Sequence, residues 1–151
     1  MVTNLNPGTY AEIKRTWRAG DEVDFQMDFR PTLWAANPLV EETLNQVAIK
    51  CGPLVYCVEA NDLPAGVRVR DVALSLLKPT DFVAQREKIS TAHLQTLAFS
   101  ALTYERQTAA ANALYFEANL RSPRPISLKA VPYFAWGNRG DTDMSVWLPV
   151  R

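Results

Sequence analysis

Polar and apolar residues alternate along most of this chain with a period of two. Over residues 9–19, Ala11, Ile13 and Trp17 share one side and Glu12, Lys14 and Thr16 the other. Beyond a turn signal at Ala19, Gly20 and Asp21, the residues Val23, Phe25, Met27 and Phe29 alternate with Asp24, Gln26, Asp28 and Arg30. Successive side chains of a strand point to opposite faces, so this pattern predicts two strands, each with one buried and one wet face, joined as a hairpin. Pro31 and Pro38 bracket a short extended piece over 33–36, suited to a sheet edge. Residues 40–45 predict a single helical turn.

The stretches 47–51 and 54–58 are almost continuously apolar, which fits strands buried on both faces. Gly52 and Pro53 put a bend between them. Val67, Val69, Val72, Leu74 and Leu76 keep the alternation with a one-residue slip at Asp71, which predicts a β-bulge. A turn follows over 78–81. Residues 82–89 fit either a strand or a short helix, and 94–104 predict a strand. Ala109, Ala110 and Ala111 favour helix, yet Leu114, Phe116, Ala118 and Leu120 alternate, so a loop followed by a strand is expected there. After a turn over 122–125, the residues Ile126, Leu128, Ala130 and then 132–136 predict another strand. It would set Phe134 and Trp136 on one face and Tyr133 on the other. A loop over 137–143 and a last strand over 144–150 complete the chain.

About nine short strands thus alternate with Gly and Pro turns, and no amphipathic helix is interleaved with them. That predicts an all-β fold, an antiparallel β-sandwich of jelly-roll type, in one domain spanning 1–151.

Composition narrows the partners. The 151 residues are 48% hydrophobic, as a globular domain requires. Sixteen basic residues balance sixteen acidic ones, so no concentrated basic face is expected for nucleic acid. No apolar run reaches the roughly 20 residues of a membrane span. The first residues lack the charged and apolar regions of a secretory signal, so a cytoplasmic location is expected.

The candidate chemistry is sparse. Cys51 and Cys57 in extended chain would lie about 20 Å apart at roughly 3.3 Å per residue, beyond disulfide reach unless Gly52 and Pro53 bend sharply. A tetrahedral zinc site needs about four donors, and the one histidine, His93, is far away in sequence. Both thiols read as small core residues, and His93 as a surface or strand-edge residue. No metal site and no cofactor is expected. Glu12, Asp24, Asp28 and Glu59 alternate with apolar neighbours, as solvated strand faces do.

Two segments are more specific than any period argument: residues 46–59, QVAIKCGPLVYCVE, and residues 128–140, LKAVPYFAWGNRG, followed by MSVWLP over 144–149. Together they resemble the C-terminal β-sandwich region of glycoside hydrolase family 127, the β-L-arabinofuranosidase-like family. The opening YAEIKRTW over 10–17, followed by Gly20 and Asp21, is similar to the stretch just after that family's catalytic barrel. The resemblance implies a retaining glycosidase with a cysteine nucleophile and a zinc ion held by glutamate and cysteines, all within an (α/α)6 barrel. Nothing in this sequence corresponds to that barrel, so no catalytic residue carries over. The family commonly has a basic residue where Cys51 stands, which marks Cys51 as incidental.

The resemblance leaves two readings. In the first, the chain is a non-catalytic accessory module that braces a separate catalytic barrel or binds carbohydrate or a partner protein. In the second, it is a stand-alone or split-subunit glycoside hydrolase acting on arabinofuranosides. A fragment without a role is the blandest alternative. Tyr133, Trp136, Asn138 and Arg139 are the candidate carbohydrate contacts. Flat rings suit the C–H faces of sugars, and Asn and Arg supply hydrogen bonds to hydroxyls. Equally, Trp136 and Trp147 could fill the core while 138–140 forms a structural turn. An apolar face parted from its usual neighbour predicts a homodimer.

Overall fold

The computed structural model of the chain describes residues 5–6, 8–75, 81–104, 113–117 and 122–151. Among them are nine strands whose ladders all run antiparallel, short 3-10 turns and no α-helix, in agreement with the all-β expectation. The strands are β1 (Pro31–Trp34), β2 (Gln46–Cys51), β3 (Leu54–Glu59), β4 (Val72–Ala73), β5 (Val83–Ile89), β6 (Ala92–Thr103), β7 (Arg124–Pro132), β8 (Met144–Ser145) and β9 (Trp147–Pro149). Their order is β1-β2-β3-β7-β6-β4, with β5 on β6, β8 on β3 and β9 on β2.

The central hairpin forms where the apolar runs predicted it. Cys51 pairs with Leu54, so the turn has only Gly52 and Pro53 at its centre. Gly52 has φ of 53°, the left-handed conformation that a two-residue hairpin of this kind assigns to glycine at its first central position. β2 and β3 then part company. The chain of β8 and β9 enters between them, β9 pairing with β2 from Gln46 to Ala48 and β8 with β3 at Val58 and Glu59. The expected single strand over 144–150 is therefore two, bent at Val146, with Ser145 Oγ donating to Trp147 O at 2.6 Å across the bend.

The sheet curls strongly, as right-handed strand twist favours, into a half-barrel. Just beyond β4, the Leu74 N–H donates to Pro149 O at 2.7 Å and the Arg151 N–H to Leu74 O at 2.9 Å, so the β4 end meets the β9 end. Ile49, Tyr56, Val58, Leu97, Phe99 and Leu148 fill the inside of the curl. β3 is buried on both faces, as predicted. Tyr56 and Val58 point into this core, while Cys57 joins Ile89, Val131 and Ala135 in a smaller cluster on the other side.

Several local expectations are corrected. Residues 8–30 form no strand; the turn exists, with Asp21 N–H donating to Arg18 O at 3.1 Å, but its two arms have no ladder. Alternation alone does not make a strand when no neighbour offers a backbone edge. The slip at Asp71 is a 3-10 turn, Val69–Asp71, whose Asp71 carboxylate accepts from the Arg68 N–H at 3.2 Å. That short polar cap competes with ladder pairing. Residues 82–89 resolve as strand, not helix. Of the strand expected across Leu114–Leu120, residues 114–117 are exposed and unladdered, and the rest lie outside the described residues, as do 105–112 and Leu76.

Candidate functional site

The strand predicted over 132–136 ends early. Pro132 pairs with Tyr56 as the last rung of β7, and Tyr133–Ala135 is a 3-10 turn. In such a turn, side chains three apart eclipse each other. Tyr133 and Trp136 therefore do not point apart but stack, with ring centroids 6.3 Å apart and planes 17° from parallel. Tyr133 is 47% exposed and Trp136 43%. Ala135, not Trp136, fills the space beneath, and Trp147 is half-buried.

The loop over 137–143 begins at Gly137, whose φ of 78° only glycine adopts freely. Its next residues anchor it. Asn138 Nδ2 donates to Ala135 O at 3.1 Å. Arg139 reaches back to β3 and the 3-10 turn after it, Ala60–Asp62. Its guanidinium makes a fork to Asp62, Nη1 to Oδ1 at 2.9 Å and Nη2 to Oδ2 at 2.6 Å, and a further bond to Glu59 Oε2. The other Glu59 oxygen accepts from the Gly137 N–H at 3.1 Å. Lys129 Nζ lies 3.1 Å from Asp62 and 2.8 Å from Glu87, and Thr96 Oγ1 donates to Glu87 at 3.1 Å. From the far end, Ala60 N–H donates to Asp143 O at 2.8 Å.

Glu59, expected on a wet face, is 0% exposed. A buried carboxylate is tolerable only with charge and hydrogen bonds around it, and Arg139 and Gly137 supply them. Burial pushes the Asp62 carboxyl up, but hydrogen bonds from Arg139 and Lys129 outweigh it, and the group sits below its ordinary value. The bonds that Arg139 donates to Asp62 hold the guanidinium above its already high range. Asn138 and Arg139 are thus fixed by the fold, while the rings of Tyr133 and Trp136 face outward.

Beside Trp136 opens a groove of about 540 Å³ lined by Trp136, Gly137, Asp141, Thr142 and Asp143. Trp136 Nε1 donates to Thr142 O at 3.1 Å, which fixes the indole against the groove wall. Neither Asp141 nor Asp143 was singled out by sequence, because an acid in a loop carries no period. The sequence does not reveal Glu59 and Asp62 as partners of Arg139, nor Lys129 and Glu87 as the pair that extends the network from Asp62, because these residues come from distant segments.

The other candidates separate. His93 is exposed on β6 opposite Lys88. Cys51 and Cys57 are free and buried. Burial pushes the Cys57 thiol up to about 12, reinforced by the neighbouring Glu59 charge, and burial raises Cys51 as well. A thiol so protonated is a poor nucleophile and ligand. Among the described residues, no three His, Cys, Asp or Glu side chains gather as a metal ion would require.

The geometry can be set against known proteins. Residues 31–149 match the family described as the glycoside hydrolase family 127 C-terminal domain. This chain belongs to that family. It is 30% identical over 132 residues to the non-reducing end β-L-arabinofuranosidase of Bifidobacterium longum subsp. longum, covering 85% of the chain and 20% of that enzyme. A solved glycoside hydrolase superposes with a TM-score of 0.77 at 32% identity, over 97% of this chain and 24% of the other. A GH127 β-L-arabinofuranosidase from Geobacillus stearothermophilus T6 superposes with a TM-score of 0.66 at 25% identity, over 80% and 18%. The GH127 C-terminal domain thus spans about a fifth of these enzymes, and the match does not include their catalytic barrel region.

Proposed function

We propose that this GH127 C-terminal domain is a non-catalytic accessory module that braces a catalytic barrel. The observation that carries the proposal is the segment 8–30. Ile13, Trp17, Val23, Phe25, Met27 and Phe29 are all large, apolar and exposed. So many large apolar side chains left exposed within one short segment mark a contact. The segment immediately precedes residue 31, where the family's C-terminal domain begins. In a longer relative, that is the side from which the remaining four-fifths of the chain arrives. The segment is partly seated already: Phe29 lies against the β2–β3 turn, close enough that a Cβ on Gly52 would meet its ring at 3.3 Å.

Burial holds both thiols above their ordinary range, which disfavours them as nucleophiles and supports a bracing rather than a hydrolytic role. Without that barrel, the same face is where two copies of the chain would associate. A chromogenic β-L-arabinofuranoside, incubated with the chain with and without zinc, tests the reading. No turnover above blank is expected. Turnover by the chain alone would instead establish the stand-alone hydrolase.

A further inference from the structure

We infer that the groove beside Trp136 is a saccharide-binding subsite, with the Trp136 indole, stacked on Tyr133, as its platform and Asp141 and Asp143 as acceptors for sugar hydroxyls. The inference goes beyond the bracing role, and only the choice of arabinofuranosyl ligands rests on that reading. Three features of the groove carry it. First, its aromatic wall is held open. The indole edge is committed to Thr142 O and the ring is stacked on Tyr133, so the indole surface left over faces outward in a fixed orientation. The flat indole suits the C–H face of a sugar ring, and the stacking on Tyr133 holds its orientation. A cation is more often enclosed by aromatic walls that meet at steep angles.

Second, the polar groups have the right sense. Among the described residues no side chain or backbone donor reaches the carboxylates of Asp141 or Asp143. Ionised carboxylates are acceptors only, and adjacent sugar hydroxyls are donors that a carboxylate takes up in charge-assisted bonds. Arg139, the basic residue nearest to them in sequence, is already paired with Glu59 and Asp62.

Third, the groove is built on a rigid base. Arg139, Gly137 and Ala60 tie both ends of the loop to the end of β3, so little loop ordering opposes binding. A volume of about 540 Å³ lies within the usual range for small-ligand sites and accommodates one or two sugar units. The open shape predicts weak binding, with Kd of about 1 mM.

The test is titration of the ¹⁵N-labelled chain with methyl β-L-arabinofuranoside, arabinan oligosaccharides and xylo-oligosaccharides. The indole N–H resonance of Trp136, assigned with Trp136→Phe, is the reporter. Saturable movement of that resonance is expected with an arabinofuranosyl ligand. Trp136→Ala should weaken binding by about tenfold, read from the backbone resonances of the loop. Asp141→Asn and Asp143→Asn, both exposed and away from the core, should each weaken it severalfold while leaving the thermal midpoint unchanged. Affinity should change little between about 0.01 and 0.15 M salt, because the ligand is neutral. No saturable shift with any saccharide would overturn the inference. So would a shift seen only with an oligolysine or oligoarginine peptide and abolished by salt. Because the chain is titrated alone, failure here leaves barrel bracing untouched, and failure of bracing leaves this result standing.

Discussion

Replacing Arg139 by alanine should be one of the most damaging single changes outside the apolar core. The substitution leaves Glu59, 0% exposed, with a buried charge and a single hydrogen bond from Gly137. Asp62 keeps only Lys129. Removing one partner of a buried ion pair costs about 3–5 kcal/mol. The Arg139 side chain is 24% exposed, so water can partly re-solvate the site, and the expected loss lies at the low end, about 3 kcal/mol. For a chain of this size, that lowers the melting temperature by about 6–12 °C. Urea unfolding followed by tryptophan fluorescence measures it, with the m-value checking that both variants unfold from the same compact state. Glu59→Gln keeps an acceptor for the Gly137 N–H and removes the charge. Combined with Arg139→Met, it should recover much of the loss and give a coupling energy of about 2 kcal/mol in a double-mutant cycle. A loss below about 0.5 kcal/mol, with no coupling, would refute the argument that this network clamps the loop.

Other consequences are as direct. The Asp62 carboxyl is held below its ordinary value of 3.8. Its contribution to stability is therefore complete above pH 3.8 and lost as pH falls below it, and Asp62→Asn should flatten that acid limb in pH-dependent unfolding. Cys57 has the opposite sign. Its thiol titrates near 12 in the fold against 9.0 ordinarily, so stability should fall as pH rises from 9 towards 12. At pH 8 a thiol reagent should label Cys57 only as fast as the protein unfolds; rapid labelling of the native protein would contradict its burial. Gly52→Ala puts a Cβ 3.0 Å from Asp28 O at a φ of +53° and should cost about 1–3 kcal/mol, read as a shift in the urea midpoint.

Much of this architecture was legible because it is local. Two nearly unbroken apolar runs joined by Gly52 and Pro53 can do little except form a buried hairpin, and the prolines around 33–36 mark β1 as an edge. Failures arose where a pattern has two physical outcomes. Residues 9–30 alternate as well as any strand, yet the described residues offer them no sheet edge, and their apolar faces remain in water. Tyr133, Phe134 and Trp136 also alternate, but Pro132 ends the ladder and a 3-10 turn brings Tyr133 and Trp136 together. The structure corrects the geometry expected for these rings, stacking Tyr133 on Trp136 instead of setting them on opposite faces. Arg139, a candidate ligand contact from the sequence, is held by Glu59 and Asp62, about eighty residues away in sequence. No spacing rule reveals such a partner.

In the proposed role, this domain supports a GH127 barrel through the exposed apolar residues of its segment 8–30. A domain exchange tests it most directly. In the Bifidobacterium longum enzyme, the matching C-terminal fifth is replaced by this chain, and hydrolysis of a β-L-arabinofuranoside is compared with that of the enzyme lacking that fifth. The exchange should restore folding and turnover, and Trp17→Ser with Phe25→Ser in the grafted domain should abolish the rescue. A truncated enzyme as active and stable as the whole, or a rescue indifferent to those substitutions, would contradict it.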